Sequence, residues 1–402
     1  MSDVYWGKDI HPPVFWLDSR FKTLSKKLGD CFSLINERSQ AALNAGGSLD
    51  FKGYIRLLDE RGLSGLRYSV AQGGTDDGLW SQALFAERLG HVISGAVGMG
   101  LTIHYDMVAP VIAAHGNTAC QQRFLKPALR GELLFSHAVS EASAGSDFSN
   151  ISCTAQRHKG GWLLNGTKTM ISLATAADVH FVLARLPEKK APFHMVILLV
   201  PSSLKGVSVG PEQATMGNKG CPVADIHLDN VWVDDDCRLG AQGLGFVIQL
   251  QQFVQERIVS SLRANAAARR GLDRLISHTQ ERLVADQRLI DRDSWQHKIA
   301  DLESDWAKCR ALTYQALEAW AEGLPYESLS SASKLLSSRL VRRVARTALH
   351  AGGVNHYQQQ SELAQLYTDS RLFSISTGSD EMMLTSLIAS EKFAQTIRGE
   401  QR

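Results

Sequence analysis

No run of about 18 or more apolar residues is apparent in the chain, so a membrane-spanning helix is not expected. The opening Met1-Ser-Asp-Val-Tyr-Trp-Gly-Lys-Asp9 lacks a basic stretch followed by an apolar core, so no signal peptide is expected. Charge of one sign is not in excess. The net charge of +2 points neither to nucleic acid nor to an acidic membrane surface. The six cysteines, at 31, 120, 153, 221, 237 and 309, show neither metal-ligand nor redox spacing. They read as thiols in a reducing cytoplasm. Internal repeats and low-complexity tracts are missing as well. What remains, 402 residues with 44% hydrophobic and 21% charged side chains, suits a soluble globular protein with ample core. The length predicts about two to three domains.

Three textures follow one another. Up to residue 134 the pattern is helical, with periodic segments at Phe51–Leu63, Trp80–Leu89, His104–His115 and Gln121–Leu129, stopped by Gly73-Gly74 and Gly131. From 135 to 239 short apolar runs are separated by turn residues: Trp162–Leu164, Val179–Ala184, His194–Val200, Val207–Val209, Ala224–Leu228 and Val231–Val233. Rich in β-branched residues, they predict a small β-barrel or sandwich. From 240 to 402 long periodic segments return at Phe246–His278, Trp295–Gly323, Ser328–Ala351 and Glu381–Ile397, and predict an antiparallel bundle. The expected class is α+β, with domains at 1–134, 135–239 and 240–402.

The densest chemistry lies in Val139-Ser-Glu-Ala-Ser-Ala-Gly145-Ser-Asp147, where three hydroxyls, a glycine and two carboxylates occupy nine residues. Successive N–H groups around a glycine, with hydroxyls beside them, suit an anionic or carbonyl-rich ligand. An ordinary turn between strands explains the same composition. Trp162–Ser172 predicts a hairpin turning at Asn165-Gly166, because Asn-Gly between apolar runs is the strongest short-range turn signal. The three carboxylates Asp234–Asp236 predict a solvated turn rather than a metal site.

In this order and spacing the pieces resemble the acyl-CoA dehydrogenase flavoprotein family over nearly the whole chain. The resemblance is carried by Gly62-Leu-Ser-Gly-Leu66 with Gly73-Gly74, by Gln122-Arg-Phe-Leu-Lys-Pro127, and by Val139–Asp147 as a flavin loop. Asn165-Gly-Thr-Lys168, Gly217–Asp229, Gly352-Gly353, Leu366-Tyr-Thr-Asp369 and Thr377-Gly-Ser-Asp-Glu381 complete it. It implies a helical domain, a middle β-barrel and a C-terminal four-helix bundle. It also implies FAD, an acyl-CoA substrate dehydrogenated between its α and β carbons, and a homodimer or homotetramer. Electrons would pass to an electron-transfer flavoprotein or another acceptor.

By the same resemblance, Val139, Ser140, Gly145, Ser146 and Ser172 would contact the flavin, and Ser146 the thioester end of the substrate as well. Met170 stands where an aromatic often covers the ring, and its flexible thioether stacks less rigidly. Ser379 and Glu381 match positions that meet the adenosine half. Arg282 matches an arginine that reaches the pyrophosphate of a neighbouring subunit, although Ala285-Asp286 replaces the Phe-Gly expected after it. Thr368 replaces a usual arginine before Asp369.

Many members carry the catalytic glutamate just before the C-terminal glycine. Here that position is Thr377, which stays protonated and cannot act as a base near neutral pH. Thr377 and Gly378 would instead shape the substrate pocket and offer a backbone N–H to the thioester carbonyl. The long-chain and isovaleryl types place the base on the first bundle helix, and Phe253-Val-Gln-Glu256-Arg257 is similar to them. Val247, Leu250, Val254, Ile258 and Leu262 form one apolar stripe there. Glu256 lies off it, on a face with Phe246, Phe253 and Ser260. A solvent face seldom carries two phenylalanines, so this second face is expected to be covered. A carboxylate in an apolar cleft has a raised pKa and is a better base once ionised. A surface glutamate is the plain alternative. Other functions compatible with the resemblance are the same oxidation on a carrier-protein-bound acyl or aminoacyl thioester, a flavin monooxygenase on this fold, and a non-catalytic homologue.

Overall fold

A computed structural model describes residues 18–187 and 194–389. By its internal packing the chain divides into two units. One comprises residues 41–82 and 96–256; the other comprises 18–40, 83–95 and 257–389.

In the first unit, helix α2 (Phe51–Glu60) starts where the Asp50 carboxylate accepts from Gly53 N; α1 (Ser19–Asn44) before it and α3 (Gly78–Gly90) after it in sequence belong mostly to the other unit. The long helix α4 (Gly95–His115) begins nine residues before the expected His104 and passes through a π-helical turn at Ile103–Val108. By length and apolarity alone α4 could pass for a membrane span, although His104 and Asp106 interrupt its apolar run. Of its most apolar 18-residue stretch 89% is buried inside the protein, so it is a core helix. Gly100 leaves room for the Phe51 ring against it. Helical turns at 118–129 (α5) lead into the sheet.

Eight strands form one mixed sheet: β1 (Phe135–Ala138), β2 (Thr154–His158), β3 (Gly161–Ser172), β4 (Val179–Arg185), β5 (Met195–Pro201), β6 (Val207–Val209), β7 (Val223–Asp234) and β8 (Arg238–Gly243). The order is β6-β7-β3-β2-β4-β5-β8, with β1 parallel on β4. β4 and β5 are buried along nearly their whole length, hence their unbroken apolar runs.

Two expectations are corrected here. The runs Ala224–Leu228 and Val231–Val233 are one strand, β7, which continues through Asn230 at φ 49°. The hairpin does not turn at Asn165-Gly166. It turns at Lys159-Gly160, φ 46° and 80°, between β2 and β3, and both residues have the positive φ of a type I′ turn. Asn165-Gly166 sits inside β3, where the register with β7 slips. Gly166 is needed there for another reason: its φ is 143°, and a Cβ would lie 2.7 Å from Cys153 Cα. Gly166→Ala is expected to cost about 2 kcal/mol or more, read as a lower urea midpoint at unchanged slope.

In the second unit, α6 (Gly245–Glu281), α7 (Asp293–Ala321), α8 (Glu327–Gly352) and α9 (Glu362–Asp369) build one core. Leu272, Leu275, Trp306, Val341, Val344 and Leu366 fill it. Gly271 lets Leu366 and Val344 approach α6. The helix expected at Glu381–Ile397 is α10 (Asp380–Ile388); residues from 390 lie outside those described. Helix α6 runs through the division between the units, which falls between Glu256 and Arg257. All six cysteines are buried and none is in a disulfide.

Candidate active site

The Val139–Asp147 loop is fastened to β3 by paired hydrogen bonds. Ser140 Oγ donates to Thr169 O at 2.8 Å, and Thr169 N donates to Ser140 O at 3.0 Å. The Ser140 hydroxyl proton is thereby committed within the protein. Below it, Lys168 Nζ donates to Glu141 Oε1 at 2.8 Å and to Val139 O at 3.0 Å, and both charged side chains are buried. Glu141 also accepts from Ser152 N, Ser152 Oγ and Cys153 N. This ion pair holds the base of the loop and was missed in the sequence. The available signal was the inward register of Lys168, which alternates with Trp162 and Leu164 along β3.

The upper part of the loop is open. Gly145, Ser146 and Asp147 are exposed, and nothing lies within 4 Å of the place a Gly145 Cβ would occupy. On the adjoining strand Met170 is 56% exposed at φ 57°, in a bulge of β3. Its N–H donates to Asp225 Oδ1 at 3.0 Å, which pins that conformation. Ser172 is half-buried one strand repeat further on. A presented thioether beside small donors and a buried Val139 fits one face and edge of a flat, amphipathic ring system such as a flavin.

Asp147 has a structural task as well. Its carboxylate accepts from Ser149 N at 3.0 Å and from Asn150 Nδ2 at 2.6 Å, capping the turn Phe148–Asn150. That turn presents Phe148 to the start of α6. Phe148 stacks on Phe246 at 4.8 Å and meets Phe253 edge-on at 5.4 Å. His137 of β1 stacks on Phe181 at 4.8 Å, contacts Phe253 at 5.9 Å and hydrogen-bonds Gln249 Oε1 at 3.1 Å. Burial pushes the His137 imidazolium down to about 4, so the ring is neutral near pH 7. The second face of α6 is therefore covered, as its two phenylalanines predict. Glu256, one turn after Phe253 and Gln252, is 4% exposed. The surface-glutamate alternative does not hold.

The expected apolar stripe needs correction. Val254, Ile258 and Leu262 are buried, but Val247 and Leu250 are 51% and 43% exposed. The first turns of α6 half-bury the phenylalanine face instead, because Phe148 offers aromatic surface to it.

The remaining site residues belong to the other unit. Thr377 and Gly378 form a turn with φ 51° and 103°. Arg257 Nε donates to Thr377 O at 3.3 Å, and Lys334 Nζ donates to Gly378 O. Ser379 caps α10, its hydroxyl accepting from Met382 N at 3.3 Å. Glu381 is exposed in the first turn of that helix. Arg282 is exposed just past the end of α6, and Ala285-Asp286 form the turn of a short hairpin at φ 51° and 58°. Asp234–Asp236 are spent locally: Asp234 caps a turn, Asp235 takes Arg157, Arg238 and Trp162 Nε1, and Asp236 takes Asn117.

Comparison with known proteins matches three consecutive family models: acyl-CoA dehydrogenase N-terminal domain at residues 37–132, middle domain at 136–231 and C-terminal domain at 243–391. The long-chain specific acyl-CoA dehydrogenase of Sus scrofa mitochondria is 27% identical over 334 residues, 83% of this chain and 77% of that protein. The caffeyl-CoA reductase-Etf complex subunit CarC of Acetobacterium woodii is 25% identical over 321 residues, 80% of this chain and 84% of its own length. Among solved structures, an FAD complex of PigA superposes with a TM-score of 0.85 at 20% identity, covering 92% of this chain and 98% of that one, which bears on the fold alone.

Proposed function

The chain belongs to the acyl-CoA dehydrogenase family of FAD-dependent oxidoreductases acting on CH–CH bonds, and on that premise we propose that Glu256 is its catalytic base. The observation that carries this reading is the burial of Glu256 on the phenylalanine face of α6, while Thr377 occupies the alternative position for the base. The Glu256 carboxylate takes the α-proton of an acyl-CoA. The α-carbon electron pair becomes the new C=C bond as the β-hydride leaves. When bound, FAD supplies the acceptor for that hydride. The same residues serve the reverse reduction, the direction named for the Acetobacterium relative, because protonated Glu256 returns the proton by microscopic reversibility.

In this reading Val139, Ser140, Gly145, Ser146, Met170 and Ser172 hold the flavin ring. Ser379 and Glu381 meet its adenosine half, and Arg282 reaches the pyrophosphate bound by a second copy in a homodimer or homotetramer. Ser146, Thr377 and Gly378 bind the thioester. An electron-transfer flavoprotein or another acceptor takes the electrons, and buried thiols outside disulfides suit the cytoplasm. In the same reading the domains are 1–134, 135–239 and 240–402.

Anaerobic bleaching of the FAD-loaded protein by a panel of acyl-CoA and carrier-protein-bound thioesters tests the reading. Acyl-CoA esters are expected to bleach it. Bleaching by carrier-bound esters alone would move the substrate to a carrier protein. Oxygen consumption with substrate hydroxylation, unchanged in Glu256→Gln, would move the reaction to monooxygenation.

A further inference from the structure

A chain of hydrogen bonds runs from β1 into α6 within the first unit. His137 Nε2 lies 3.1 Å from Gln249 Oε1. That oxygen can only accept, so the neutral imidazole carries its proton on Nε2. Gln249 Nε2 in turn donates to Gln252 Oε1 at 2.9 Å. Both glutamines are buried. The chain stops at Gln252: its Nε2 is buried and has no acceptor among the described residues. Interior donors are seldom left this way, because the water they give up is normally replaced by another acceptor.

The tether decides where that donor points. Gln249 stands three residues before Gln252 and holds its Oε1 toward the start of α6. The oxygen and nitrogen of a side-chain amide diverge from one carbon, so Nε2 is turned toward the following helical turn. Residues four apart on a helix are neighbours, and the neighbour there is Glu256, which is buried as well. The two groups are not bonded to each other in the structure. Hydrogen bonds of catalytic groups are often long without substrate and tighten in its complex. We propose that Gln252 is a positioning residue for the base: with a thioester bound, its amide N–H donates to the Glu256 carboxylate and fixes the direction in which that carboxylate meets the α-carbon. Gln249 and His137 hold Gln252 in turn. One N–H occupies one carboxylate oxygen and leaves the other to take the proton. Direction matters because a misplacement of about 1 Å can cost on the order of 10²-fold in rate. The inference rests on the assignment of Glu256 as the base.

The test is anaerobic bleaching of FAD-loaded proteins by whichever acyl-CoA of the panel bleaches wild type fastest, read as a limiting rate and a half-saturating concentration. Gln252→Met keeps the length of the side chain and removes the donor. It is expected to lower the limiting rate about tenfold or more, while the half-saturating concentration moves by less than about threefold. Gln249→Met cuts the tether but keeps the donor, and should show a smaller loss of the same kind. In a Glu256→Asp background the acid is withdrawn from the amide, so Gln252→Met should cost less than about threefold there. An unchanged limiting rate in Gln252→Met overturns the proposal. So does a raised half-saturating concentration at an unchanged limiting rate, which would make Gln252 a substrate-binding group instead. An equal loss in the Glu256→Asp background also overturns it, because the effect then bypasses the base. Should Gln252→Met not retain FAD, Gln252→Asn, whose amide is one methylene short, decides by the same readings. A wild type bleached by no thioester, or a Glu256→Gln protein bleached at the wild-type rate, removes the assignment of the base itself, and this inference with it.

Discussion

Glu256→Gln is expected to lower the rate of flavin bleaching by acyl-CoA by about 10²–10⁴-fold, the usual worth of a positioned general base. The amide is nearly isosteric and neutral, so it keeps the packing of a position that is 4% exposed. It cannot accept the α-proton near neutral pH. FAD content and thioester binding should therefore stay close to wild type while turnover collapses. Rapid-scan absorbance under anaerobic conditions separates the two, since binding perturbs the flavin spectrum and reduction bleaches it. A Glu256→Gln protein that bleaches at the wild-type rate would remove Glu256 from the chemistry. Glu256→Asp is the useful companion. It keeps the acid but withdraws it by one methylene, and an intermediate rate would show that the reach of the carboxylate matters.

The second large effect is structural. Lys168→Met leaves Glu141 in the interior with its cation removed, and breaking a buried pair in this way costs about 3–5 kcal/mol. Both side chains are almost fully buried and 2.8 Å apart. The loss should also appear in the cofactor, because Lys168 holds the Val139 carbonyl and Glu141 holds the loop from below. Purified Lys168→Met should thus carry less FAD than wild type and unfold at lower urea. The double variant Glu141→Gln with Lys168→Met should recover part of the stability, since no unpaired charge remains.

The pair also sets an acid limit. Burial works against the Glu141 carboxylate, but the Lys168 ammonium and the Ser152 donors outweigh it and hold its pKa below the usual 4.5. Its stabilising contribution is complete above that ordinary value and is lost as pH falls through the lower folded-state one. Acid unfolding of wild type should therefore steepen below about pH 4.5, and this part of the profile should flatten in the double variant. Equal acid profiles in the two proteins would remove the pair as the cause.

Much of this architecture was legible in the sequence because period decides it. The long helices α7 and α8 begin and end within two residues of their apolar repeats, and β4, β5 and β6 follow their apolar runs closely. The covered second face of α6 was legible too, since Phe246 and Phe253 recur at helical spacing on a side that the main stripe leaves out. Other features depended on tertiary partners. Asn165-Gly166 carries the signal of a turn, yet the chain needs its glycine for close approach to Cys153. Phe148 follows a loop rather than a periodic segment, so nothing local foretells that it covers α6. Lys168 and Glu141 are separated by 27 residues, and only the register of β3 against the loop makes them neighbours. The grip of Lys334 and Arg257 on residues 377 and 378 is of the same kind.

The burial of every cysteine has a practical consequence. Burial pushes the thiols of Cys120 and Cys309 up to about 12 and those of Cys153 and Cys237 up to about 11. Thiolate is the reactive form toward alkylating reagents, so at neutral pH these four sulfurs are both shielded and nearly unreactive. The native protein should resist maleimides and iodoacetamide without mutation of its cysteines. A single cysteine placed at the exposed Met170 would then be labelled selectively, and protection of that label site by added FAD would report directly whether the ring covers this wall.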